Sequence, residues 1–122
     1  MLSPQISSNW ALSAAHCYRH GTHDTIAADI RLVLGDHDRI QDNTLRFNVH
    51  WCCWASPNSF LLRKIVPVIA IINHPDFLYP TFENDLALLR LHESVDLNTF
   101  TPVCLPEVGA DFSGRKGWVY GQ

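Results

Sequence analysis

The longest apolar run in this sequence, Ile65 to Ile72, is broken by Pro67, and the shorter runs are each closed by turn-forming residues. No stretch approaches the roughly 20 apolar residues that span a bilayer. Short apolar runs between turn-rich segments favour a β-rich domain over a helical one. Trp10 to Ala15 reads as a strand, followed by a polar, histidine-rich turn region from His16 to Asp24. From Asp29 to Leu34 the pattern alternates, with Ile30, Leu32 and Leu34 on one side and Arg31 on the other, and Gly35-Asp36 ends it. Further strands are expected around Leu45 to Val49 and Ile65 to Ile72, and Asn73-His74-Pro75-Asp76 is a turn signal. Asp85 to Leu91 carries apolar residues on both faces, as in a strand inside a closed barrel, with a short helix as the competing reading.

At 122 residues and 47% hydrophobic content the chain is about one domain long with enough apolar surface for a core. The net charge is −3 and the nine basic residues are scattered, so no basic stripe for a phosphate backbone is present and nucleic acid is not an expected partner. A membrane is not one either. The first residues, Met1-Leu2-Ser3-Pro4-Gln5, have neither the basic nor the apolar region of a secretory signal. Four cysteines, Cys17, Cys52, Cys53 and Cys104, form no C-x-x-C pair, which argues against a zinc ribbon or a thioredoxin-type site.

Local sequences go further than periodicity. Ile6 to Cys17, with Ala14-Ala15-His16-Cys17 at its end, resembles the strand and turn that present the catalytic histidine in trypsin/chymotrypsin-like serine proteases. Phe82 to Leu91, with Asp85-Leu86-Ala87-Leu88-Leu89, resembles the segment of the same family that carries the triad aspartate. Thr101 to Pro106 is similar to the exit of that family's first barrel, and Gly117 to Gly121 to the strand that opens the second. Arg31 to Asp38 and Ile72 to Pro75 match two further blocks, all in family order.

The resemblance implies an all-β fold: an incomplete N-terminal β-barrel of the two-barrel architecture, with the second barrel starting near residue 117. It implies serine endopeptidase activity by family, with His16 as general base and Asp85 as the carboxylate that orients it. Protein or peptide substrates, a second barrel as partner, an extracellular or granule location and no metal or organic cofactor are implied with it. The nucleophile's G-D-S-G-G block is not among the 122 residues, so these alone are expected to be inactive. Ser113-Gly114 is not its equivalent, because it precedes the Gly117 strand where the family has a surface turn. The competing reading is a non-catalytic protease homologue that uses the barrel as a binding module.

His16 and Asp85 stand 69 residues apart, roughly twenty more than is usual for these triad members. The excess falls in 49–63, an expected insertion containing Trp51-Cys52-Cys53-Trp54; a misjoined exon, a translated intron and a real loop closed through Cys52 or Cys53 all remain open. Two metal readings carry less weight. His16, His20 and His23 would share a face only on a helix, and Asp36 stands where calcium-binding members have a ligand, with only Asp42 to support it.

Overall fold

Alternating buried and more open positions run along Trp10–Ser13 and Ala87–Leu91, as strands with one face on a core require. The computed structural model describes residues 5–20, 23–35, 49–52 and 64–117. Eight strands are present there: β1 Gln5–Ser7, β2 Trp10–Ser13, β3 Arg19–His20, β4 His23–Asp24, β5 Arg31–Leu34, β6 Val49–Cys52, β7 Lys64–Asn73 and β8 Ala87–Leu91. Helical backbone among the described residues is confined to 3-10 turns at Ala15–Cys17 and Ala27–Asp29, so the fold is all-β as expected. None of the described helical segments is long and apolar enough to cross a membrane.

Six strands form one sheet in the order β1-β2-β8-β7-β5-β6, antiparallel except for the parallel β5–β6 pair. The ten-residue β7 turns the corner of this incomplete barrel. Its first half pairs with β5 through Lys64 to Pro67, its second half with β8 through Val68 to Asn73, and a register shift falls between Val68 and Ala70. Pro67 sits at that switch, where a missing backbone N–H is tolerated because the ladder is changing partners. Its carbonyl still accepts from the His92 amide at 2.9 Å.

The core contains Leu32, Leu34, Val66, Val68, Leu89 and Leu91 from the sheet, closed by Tyr18, Phe77, Val95 and Phe100 from the connections. Each large aliphatic side chain buried here contributes about 1.5–3 kcal/mol relative to exposure. Two expectations need correction. Val33 is as buried as Leu32 and Leu34, so β5 is covered on both faces. β8, by contrast, is not covered throughout: Ala87, Leu89 and Leu91 face the core, Leu88 is half-buried, and Leu86 precedes the strand and is 49% exposed. Leu12, Ile72, Leu86 and Leu88 instead line a shallow cavity on the outer face, about 290 Å³ in volume.

Of the expected insertion, Val49–Cys52 forms the edge strand β6, and residues 53–63 lie outside the described ones. So do Leu45 to Asn48, Asp36, Asp42 and the segment from Trp118. Among the described residues no helix connects His16 to His23: a single 3-10 turn gives way to the β3–β4 pair, in which His20 is opposite His23.

Candidate active site

Ser13 ends β2, and the chain then turns once through Ala15–Cys17 to present His16. The turn is held from both sides. Cys17 N–H donates to the Ala14 carbonyl at 3.3 Å and Tyr18 N–H to the Ala15 carbonyl at 3.0 Å. The buried Tyr18 hydroxyl donates to Ser13 Oγ at 2.9 Å, closing the base of the turn across five residues. Cys17 is half-buried, and burial pushes its thiol above the usual range, with the nearby Asp85 charge adding to the rise.

Asp85 arrives from the opposite direction. β2 and β8 pair antiparallel, with Ser13 opposite Ala87, so residues just after β2 and just before β8 emerge at one end of the sheet. His16 and Asp85 meet there. The His16 amide donates to Asp85 Oδ1 at 2.8 Å, and His16 Nδ1 lies 2.5 Å from Asp85 Oδ2. One carboxylate therefore grips both the backbone and the ring of a single residue, which fixes the plane of the imidazole as well as its position.

Burial is the largest single influence on the Asp85 carboxyl and raises it. Hydrogen bonds from the His16 ring and amide, the charge of His16 and the Ala15 amide together outweigh burial and hold the group below the usual carboxylate value. A carboxylate ionised at neutral pH beside Nδ1 favours the tautomer with the proton on Nδ1, leaving Nε2 as the basic nitrogen. The His16 side chain is 33% exposed and that of Asp85 22%, so the imidazole is the member of the pair more open to solvent.

Phe82 supplies a wall that was not apparent in the sequence. Its ring meets His16 edge-to-face at 5.5 Å and 88°, and contacts Tyr79 at 5.8 Å. Phe82 and Asn84 both have positive φ, 56° and 53°, in the loop that delivers Asp85. Residue type gives little warning of this at Phe82, whereas Asn84 belongs to a type enriched in the left-handed region. Ser113 and Gly114 lie in an exposed turn, with the Ser113 amide on Asp111 Oδ1 at 2.8 Å and Arg115 N–H on the Phe112 carbonyl. Among the described residues no group of three or more His, Cys, Asp and Glu side chains is arranged to hold a metal ion.

Comparison with known proteins places the chain in a family. A family model described as Trypsin matches residues 5–122. Mannan-binding lectin serine protease 1 of Rattus norvegicus is 34% identical over 113 residues, covering 84% of this chain and 14% of that protein. Serine protease filzig of Drosophila melanogaster is 32% identical over 117 residues, covering 95% of this chain and 6% of its own length. Suppressor of tumorigenicity 14 protein homolog of Bos taurus is 32% identical over 124 residues, covering 95% of this chain and 12% of its own. The chain thus spans a small part of the curated relatives it matches, and that part is enough to identify it: the chain belongs to the trypsin family of serine proteases.

Proposed function

We propose that this chain is the first-barrel part of a serine endopeptidase domain, with His16 as general base and then general acid, and Asp85 as the carboxylate that orients and stabilises it. The observation that carries the reading is the two-point grip of Asp85 on the His16 amide and Nδ1. A serine hydroxyl is a weak nucleophile near neutral pH, so a neutral Nε2 takes its proton as the oxygen attacks the scissile carbonyl. The imidazolium so formed sits against the Asp85 carboxylate and returns the proton to the departing amine, leaving the acyl-enzyme that water then cleaves.

The serine and the oxyanion donors are assigned to a second barrel that begins near Gly117, because residues 1–122 hold no G-D-S-G-G block. The substrates in this reading are proteins or peptides, the location is outside the cell or in secretory granules, and residues 49–63 are an insertion in the first barrel. The test compares the 122-residue chain with a fusion to a second barrel bearing that block. The chain alone should hydrolyse no peptide substrate and take no label from a serine-directed phosphonate. The fusion should do both, and His16→Ala should abolish its turnover. Labelling of the chain alone, or full turnover by the His16→Ala fusion, would refute the assignment.

A further inference from the structure

Asp85 lies outside any strand, yet both its oxygens are aimed at one residue across the end of the sheet. Its aim is set by the loop from His74 to Leu86. Leu86 N–H donates to the Asn84 carbonyl at 2.7 Å, a tight three-residue turn with Asp85 at its apex. The Leu86 carbonyl accepts from the His74 amide at 2.8 Å, which pins the C-terminal side of that turn. The N-terminal side is pinned by a side chain: Asn84 Nδ2 donates to the Asp76 carbonyl at 3.0 Å. Asp76 is itself held in the turn after His74, its amide on His74 Nδ1 at 3.2 Å.

Two demands therefore coincide at residue 84. The backbone is left-handed, with φ 53°, a conformation most L-residues resist and asparagine, aspartate and glycine accept. The side chain must also donate to a carbonyl, which aspartate, an acceptor only when ionised, and glycine cannot do. We propose that Asn84 is a positioning residue for the proton-handling pair, acting through Asp85 by locking the turn that points its carboxylate at His16. The proposal rests on reading His16 and Asp85 as that pair, and its test separates the two claims.

The chain is labelled with nitrogen-15, and exchange of the His16 Nδ1 proton with water is followed by NMR alongside the amides of Leu89 and Leu91 in β8. Asn84→Gly keeps the backbone conformation and removes the bond, so exchange should quicken by about five- to tenfold, the weight of one hydrogen bond. Asn84→Asp sets an acceptor against the Asp76 carbonyl and should lose the signal altogether. The β8 amides should stay in place in both variants. Unchanged exchange in Asn84→Gly, while Asp85→Asn removes the signal, would overturn the role of Asn84 and leave the pair intact. A signal that survives Asp85→Asn would instead sink the pair itself. Collapse of the β8 amide pattern in both Asn84 variants would make the residue a fold determinant and also overturn the proposal.

Discussion

Replacing Asp85 by Asn tests the site with the smallest change in shape. The structure gives the carboxylate two bonds, to the His16 amide at 2.8 Å and to Nδ1 at 2.5 Å. An asparagine oxygen can keep the first. Its NH2 then faces Nδ1 and can bond only if that nitrogen gives up its proton, which moves the proton to Nε2 and removes the base from the reactive side of the ring. One charge-assisted hydrogen bond is lost or inverted, a cost of about 1.5–3 kcal/mol. With a urea m-value of about 2 kcal/mol/M for a chain of this size, the unfolding midpoint should fall by about 1 M. Nitrogen-15 shifts of the His16 ring should report the proton on Nε2 in the variant and on Nδ1 in the parent. In an assembled enzyme the same change should lower kcat by about ten-thousandfold, the effect of the wrong tautomer in a Ser-His-Asp triad. A midpoint and a tautomer both unaltered by Asp85→Asn would refute the account of how the carboxylate acts.

Because the Asp85 carboxyl is held below its ordinary value of 3.8, its contribution to stability is fully present above that value and is lost as pH falls through the lowered folded value. Asp96 and Asp111 are shifted the same way by their hydrogen bonds to Thr99, Asn98 and Ser113, so the Asp85 share is the parent melting curve minus that of Asp85→Asn below about pH 4. Leu89→Ala removes a fully buried side chain from the centre of β8 and should cost about 2–5 kcal/mol in urea unfolding. Tyr18→Phe deletes the buried bond to Ser13 and should cost about 1 kcal/mol, with the His16 ring signals shifted because the turn has lost its closure. Replacing residues 53–61 by a four-residue glycine-serine linker should leave the Nδ1 proton signal of His16 in place, and loss of that signal would show that the site depends on the segment.

The strands were legible where alternation and turn chemistry agreed. Trp10 to Ser13 and Lys64 to Asn73 fall within a residue or two of the apolar runs that mark them, and His74-Pro75 ends the second as its residues require. Alternation marks one buried face and says nothing about what later covers the other, which is why Val33 was not anticipated in the core and Leu86 was not anticipated in solvent. The parallel pairing of Val49–Cys52 with β5 has no local signature, since it depends on a connection and not on a hairpin turn. His16 and Asp85 stood out through ordered sequence blocks alone; neither residue type nor spacing would have joined them. Phe82 and Asn84 were missed because a positive φ is imposed by the loop's closure, and only at Asn84 does the residue type accommodate it readily.

The 69-residue sequence separation of His16 and Asp85 looks like a difficulty for a pair that must meet within hydrogen-bond distance. The sheet resolves it. His16 stands three residues beyond Ser13 and Asp85 two residues before Ala87, and those two are directly opposed in the β2–β8 ladder. The separation of the pair is therefore set by five residues of turn and one strand spacing, whatever length of chain connects β5 to β7. A longer connection adds only about 0.6 kcal/mol of closure entropy per doubling, spread over the whole fold and not concentrated at the site. A chain built on this ladder can lengthen its loops without moving the His16–Asp85 pair, and what it cannot do is shift the β2–β8 register by one residue. Such a slip would turn either Ala11 and Ser13 or Leu89 and Leu91 to the other face and carry Asp85 away from the His16 turn, so the register that protects the core also holds the two residues together.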